Sequence, residues 1–383
     1  MRLYEFQAKL IFRDHGIRIP KGLIAKTREE AVDAADRIGL PVAIKAQVLS
    51  GGRGLAGGIK IVNSRKDVPS VASLILETNV KSEKPLTLLI EEKVEIAKEL
   101  YCAVTWDYPR KCPVLIASSS GGMDIEAIAR DRPTEVVTLP IDPYLGYGQY
   151  IGRQLAARIG LQGKEVVTFS DIVNKLWNVF SQHDAELVEI NPLGLLGNGD
   201  LVAVDAKLIL DDKSLFRQNE IINQINVLPN AEKEGLAYRR LRAKELGIPT
   251  YIEMEGEIGV LSDGAGTGML TLDLISDLGG KIRVYCEMGG EATPELMEKT
   301  LMTMAKAGNV RVVLVSLIGG LNRMDEMAEG IVRYMNHQKS RPQVVVRMAG
   351  TQEDEGMKIL SENSVAHYND LYEAVQATMN VKS

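Results

Sequence analysis

Two patterning regimes follow one another along this chain. After an amphipathic stretch, MRLYEFQAKLIFRDHG, the segments GLIAKT, REEAVDAADRIG and PVAIKAQV alternate strand and helix periodicity, with Gly39 and Pro41 marking the helix stop. A glycine-rich stretch, a short strand IKIV and a helix over Lys66–Val80 lead to three strand-like runs, LTLLIEEKV, ELYCAVTWD and CPVLIASSS. Only short turns separate these runs, so an antiparallel sheet is predicted. Helices over Ile151–Gly160 and Lys164–His183 come next, and then a hairpin. Residues from about Leu228 to Gly256, with the basic segment EKEGLAYRRLRAKELG, read as a connector. Beyond it EIGVLSD, KIRVYCEMG, VRVVLVSLIG and PQVVVRMAG are apolar throughout, and each precedes a helix. That grammar belongs to a doubly wound parallel sheet. The expected organisation is an α+β domain over residues 1–240 and an α/β domain over residues 241–383.

The hairpin, VEINPLGLLGNGDLVAVDAK over Val188–Lys207, carries the first candidate chemistry. Its register depends on the loop. A two-residue loop would send Asn191 and Asp205 to opposite faces, because side chains alternate along a strand. A three-residue Gly197–Gly199 loop sets Asn191 across from Asp205, with Glu189 and Lys207 further along the same face. Two hard oxygen ligands there suit a magnesium ion that keeps several waters and takes other oxygens from nucleotide phosphates. The competing reading is an ordinary solvated hairpin face.

The run Ser50–Gly58, SGGRGLAGG, places five glycines in nine residues after the strand that ends near Lys45. Such a loop lets backbone N–H groups approach phosphate oxygens, and Arg53 at its centre adds positive charge. It is not a Walker loop, because no Gly-Lys-Ser/Thr follows. Glu91 and Glu99 bracket the next strands, where one of them could meet a ribose or an amine. In the second domain four strand ends repeat a theme: Asp263-Gly264-Ala265-Gly266, Gly289-Gly290, Gly319-Gly320 and Ala349-Gly350-Thr351. In a doubly wound sheet those ends line the ligand crevice.

Composition narrows the classes. Net charge −6 and 5% aromatic residues argue against a nucleic-acid surface, and no apolar run is long enough to span a bilayer. Cys102, Cys112 and Cys286 show no metal spacing and fit reduced core thiols of a cytoplasmic protein. None of His15, His183, His337 and His367 lies in a glycine-rich strand-to-helix turn, so all four read as structural.

Taken in order, YEFQAK, AQVLSGGRGLAGGIKIV, IAKELY, GGMDIE, VEINPL, DAKL and LFRQ, then DGAGTGM, MGGEAT, IGGLNR and MAGTQEDEG, resemble the motifs of one family from end to end. That family is the β subunit of succinate–CoA ligase, an ATP-grasp protein. The resemblance implies an ATP-grasp domain with an antiparallel sheet, then a flavodoxin-like CoA-ligase domain. It implies ATP and Mg2+ as cofactors, and an α subunit carrying the phosphohistidine and the CoA site. By motif match, Lys45, Gly52, Arg53 and Gly54 would bind phosphates, and Glu91, Val94 and Glu99 would contact the nucleotide. Asn191 and Asp205 would hold the metal, and Glu189 would orient the partner's phosphohistidine. Asp263, Gly320, Leu321 and Asn322 would lie near the carboxylate substrate. Pro20 matches ATP-preferring members.

Three positions depart from the family pattern. Leu55 stands where lysine is usual, Val94 where a small polar residue is usual, and Asp263 where asparagine is usual. A carboxylate at position 263 repels a carboxylate substrate unless it is protonated or paired. The function that the resemblance implies is an ADP-forming acid–thiol ligase subunit for succinate. A ligase for malate, a citrate-like acid or a sulfonated acid, or a nucleotide-sensing subunit without turnover, are the competing readings.

Overall fold

In the computed structural model, residues 1–49, 51–54, 56–80, 83–85, 87–219, 221, 236–337 and 342–381 are described. Ser50 and Leu55 of the glycine-rich loop lie outside them, as do residues 228–235 of the expected connector. Two units are defined, Met1–Val227 and Leu228–Ser383.

The first unit opens with α1 (Glu5–Asp14), whose buried face carries Ala8, Ile11 and Phe12 but also Glu5 and Lys9. Strands β1 (Gly22–Ala25), β2 (Val42–Gln47), β3 (Ile59–Val62) and β4 (Thr87–Glu92) form an antiparallel sheet in the order β1-β4-β2-β3. Its core joins Val42, Ile44, Leu88 and Ile90 to Ala31 and Ala35 of α2 (Arg28–Ile38) and to Ala72 and Ile75 of α3 (Val68–Glu77). The Thr27 side chain caps α2 by accepting from Glu30 N.

A second sheet takes β5 (Lys98–Asp107), β6 (Cys112–Ser118), β7 (Val136–Pro140), β8 (Ala185–Leu195) and β10 (Lys207–Leu210) in the order β10-β8-β5-β6-β7. The short strand β9 (Leu201–Ala203) also pairs with β8. Helix α4 (Ile125–Asp131) lies between β6 and β7 in sequence; α5 (Gln149–Arg158) and α6 (Lys164–Gln182) follow β7. The three successive strand runs therefore do not build one sheet. Thr87–Glu91 is buried residue after residue. A run covered on both faces belongs at the centre of a sheet, and β4 finds its two neighbours in β1 and β2.

In the second unit, strands β11 (Thr250–Glu253), β12 (Ile258–Ser262), β13 (Ile282–Glu287), β14 (Val312–Gly319), β15 (Gln343–Gly350) and β16 (Ala366–Tyr368) order as β11-β13-β12-β14-β15-β16. From β13 onward this is the flavodoxin-like 2-1-3-4-5 arrangement, and all those pairs are parallel. Helices α7 (Leu236–Glu245), α8 (Ala265–Asp277), α9 (Pro294–Ala305), α10 (Met324–His337), α11 (Glu353–Glu362) and α12 (Leu371–Asn380) complete it. Val313 and Val315 face a core with Met297, Leu301 and Ile331, whereas Val312 and Leu314 face one with Ile275 and Val375. Alternate residues of one strand thus enter two cores, which is why the strand reads as continuously apolar. The sheet is mixed rather than wholly parallel. Edge strand β11 runs antiparallel to β13 and arises from the expected connector, fixed by Glu253 ion pairs to Arg239 (2.6 Å) and Arg283 (2.9 Å).

Candidate active site

The hairpin loop closes with Leu196 N donating to Asp200 O and Gly199 N to Leu196 O, each at 2.9 Å. Gly199 takes φ +82°, the left-handed conformation that the third residue of such a loop requires. Leu193 then faces Ala203, and Glu189 faces Lys207. The same register sets Asn191 across from Asp205, where the ladder opens between β9 and β10. The three-residue loop holds.

Asp205 meets Arg53 there, Nη2 to Oδ1 at 2.6 Å. The glycine-rich loop folds back so that Arg53 is buried, and its Nη1 lies 2.7 Å from Glu5 Oε2. Lys45 Nζ, also buried, reaches Glu5 Oε1 at 2.9 Å, Glu91 Oε2 at 2.7 Å and Val204 O at 2.7 Å. Lys9 Nζ contacts both Glu91 oxygens at 2.6 and 2.7 Å, Glu5 at 2.9 Å and Val204 O at 2.7 Å. Three cations and three carboxylates therefore interlock. Burial alone would push the Glu5 carboxyl up, but Arg53, Lys45 and Lys9 hold it well below the usual range. The same carboxylates, with Asp205, raise Lys45 against the effect of its own burial. Glu91, expected to contact a nucleotide, is buried with both oxygens on ammonium groups. A cavity of about 530 Å3 reaches this cluster at Lys9 and Glu91 and is lined beyond them by Phe6, Leu10, Pro20 and Leu89.

Asn191 is held from β6's trailing turn: Gly122 N donates to its Oδ1 at 2.7 Å, and its Nδ2 donates to Met123 O at 2.9 Å. Glu99 borders the same turn, its carbonyl accepting from Gly121 N at 2.9 Å. Gly122 takes φ +72°, and a Cβ there would come within 2.1 Å of Glu99 Oε2. Gly122→Ala is accordingly expected to lower stability by about 1–3 kcal/mol, read as a fall in the calorimetric Tm. An unchanged Tm would show that this turn tolerates a side chain. Val94 is half-buried in the segment between β4 and β5.

Asn191 Oδ1 and Asp205 make a credible pair of hard oxygen donors. The amide oxygen carries a second lone pair, and Asp205 Oδ1 takes Arg53 and Ala206 N, leaving Oδ2 without a hydrogen bond among the described residues. Two protein oxygens fit a Mg2+ ion that draws its other ligands from water and phosphate. Glu189 stands beside them, 3.6 Å from Lys207 Nζ. Burial raises its carboxyl, and Asp205 adds to that rise while Lys207 and Arg2 oppose it.

The second unit brings Asp263, Gly320, Leu321 and Asn322 to the carboxyl ends of β12 and β14, the point where strand order reverses and ligands bind in such sheets. Ile318 N donates to Asp263 Oδ2 at 2.9 Å. Asn322 accepts from Ala292 N at 3.0 Å and donates to Gly289 O at 2.9 Å, tying the β13 and β14 ends together. Leu321 is exposed and Asp263 is buried. Burial raises the Asp263 carboxyl, while the Ile318 amide, Arg347 and Asn322 act against the rise.

The histidines have local partners. His15 bonds Ile11 O, His183 bonds Gln218, His337 bonds Glu298 and His367 bonds Val365 O. Residue patterns missed Glu5, Lys9 and the Gly121–Gly122 turn; the one signal for the first two was charge on the apolar stripe of α1.

A two-sheet unit with an interlocked cluster of three cations and three carboxylates is thus followed by a flavodoxin-like unit with a crevice at its switch point. An ATP-grasp domain model matches residues 2–195, and a CoA-ligase model matches residues 261–381. The succinate–CoA ligase [ADP-forming] subunit beta of Desulfurococcus amylolyticus is 37% identical over 98% of this chain and 97% of its own. That of Herpetosiphon aurantiacus is 38% identical over 100% and 99%, and the [GDP-forming] subunit beta of Thermus thermophilus is 36% identical over 98% of each. This chain belongs to the succinate–CoA ligase beta-subunit family. In fold it is similar to ATP citrate lyase from Methanothrix soehngenii, with TM-score 0.72 and 18% identity over 99% of both chains.

Proposed function

We propose that this chain binds Mg-ATP in its first unit and, with an α subunit, converts succinate, CoA and ATP to succinyl-CoA, ADP and phosphate through a phosphohistidine on that partner. The carrying observation is the buried cluster in which Lys45, Arg53 and Asp205 meet across the hairpin from Asn191. Lys45, Gly52, Arg53 and Gly54 face the phosphates. Glu99 and Val94 border the nucleotide, and Glu91 reaches it where the cavity does. Pro20 lines that cavity along with Ile19, Ile24 and Leu89, in keeping with an adenine base. Mg2+ would be held by Asn191 and Asp205 and would neutralise phosphate charge. Glu189, raised by burial and close to Lys207, orients the partner's imidazole. Asp263, Gly320, Leu321 and Asn322 hold the acid. Three buried free cysteines fit a cytoplasmic setting.

A second reading, a different acid, is favoured by one observation: Asp263 puts a buried carboxylate in the crevice.

The test uses the full chain with and without its α subunit. Alone, it is expected to show no ligase turnover and to leave His15, His183, His337 and His367 unmodified by labelled ATP. With the partner, acid-labile label should appear on the partner and turnover should require ATP, CoA and succinate. Acid-labile phosphate on any of these four histidines would overturn the division of labour.

A further inference from the structure

Glu5 and Lys9 stand one helical turn apart on α1, both buried, and join the phosphate-facing cations to the helix. Lys9 Nζ has four oxygens within 2.6–2.9 Å, from Glu91, Val204 and Glu5. Its three N–H donors are therefore committed inside the protein. Lys45 shares the same two carboxylates, and Arg53 shares Glu5. A phosphate drawing Lys45 and Arg53 toward itself loosens their hold on Glu5 and Glu91, and a buried carboxylate losing its counter-charge is costly. With Lys45 drawn away, Lys9 is the cation that stays on both carboxylates.

We propose that Lys9 is a positioning residue for phosphate binding: it keeps Glu5 and Glu91 neutralised, so that Lys45 and Arg53 can turn to a phosphate. This rests on the nucleotide reading above. Lys9 acts through those two carboxylates rather than by touching the ligand. The cluster's charge balance then sets affinity. Three cations face three carboxylates in the native protein; Lys9→Met leaves two against three, and the double variant Lys9→Met/Glu5→Gln restores two against two.

Calorimetric titration of Mg-ATP into the full chain, in complex with its α subunit, tests this, with Tm measured on each variant. Lys9→Met is expected to bind about tenfold more weakly or worse. The double variant should recover to within about threefold of the native protein, as a coupled pair does. Glu5→Gln alone, which leaves a surplus cation, should bind at least as tightly as the native protein. A purely structural role would lower Tm in Lys9→Met with affinity within about twofold of native, and that result overturns the proposal. So does a double variant no better than Lys9→Met, or Glu5→Gln binding tenfold more weakly. If Lys9→Met does not fold, the other two variants still decide. Failure of the native complex to bind Mg-ATP would instead overturn the nucleotide reading itself.

Discussion

Asp205→Ala is expected to weaken Mg-ATP binding by about a hundredfold or more. Outer partners of metal ligands already account for about 10- to 100-fold in affinity, and a ligand should matter at least as much. The substitution has a second, opposite effect. It releases Arg53 Nη2 from a 2.6 Å ion pair and leaves that guanidinium freer to meet a phosphate. With magnesium removed by a chelator, the ordering should therefore reverse, and Asp205→Ala should bind ATP at least as tightly as the native protein. Mere disruption of the hairpin would weaken both titrations together, so the pair of measurements separates a metal ligand from a structural residue. Asp36, in an exposed pair with Arg65, is the surface control, and its alanine variant should titrate like the native protein. If Asp205→Ala binds Mg-ATP as tightly as native, the metal assignment falls.

Period and turn chemistry made most of the architecture legible. The Gly197–Gly199 loop set the register of Asn191 against Asp205, because a two-fold side-chain period leaves no intermediate choice. The apolar runs after Gly256 pointed to a doubly wound core for the same kind of reason. What stayed hidden depends on long-range partners. Nothing local in LTLLIEEKV says that β4 goes between β1 and β2 instead of beside β5. TYIE is too short and too polar to announce an edge strand, and its place depends on Arg239 and Arg283 gripping Glu253. Glu5 and Lys9 read as ordinary helix charges until Lys45 and Arg53, 36 to 48 positions later in the chain, join the same cluster. Conversely, Glu91 and Lys45 were both named from the sequence, but neither their ion pair nor the place of Lys9 beside it was visible.

Replacing Asp263 by asparagine is expected to move acid selectivity toward succinate by about a hundredfold relative to hydroxylated analogues such as malate. The anchoring bond survives the change, since an asparagine Oδ1 can accept from Ile318 N as Asp263 Oδ2 does at 2.9 Å. What changes is the other atom, from a carboxylate oxygen to an amide donor. An ionised aspartate offers only acceptors, so it suits a substrate hydroxyl and repels a second carboxylate; asparagine reverses both preferences. Mispairing a buried polar group commonly shifts specificity by two or more orders of magnitude. Acidity supplies an independent arm. Burial raises the Asp263 carboxyl above its ordinary value, with the Ile318 amide and the Arg347 charge only partly opposing it. As pH falls toward that raised value the group gains a proton and becomes a donor. The native enzyme should therefore improve on succinate relative to malate at lower pH, and Asp263→Asn should show no such trend. Specificity constants for both acids, measured across pH with the α subunit present, check the two arms together. Equal succinate-to-malate ratios in native and variant, flat in pH, would leave Asp263 as a tolerated replacement whose carboxylate never meets the acid.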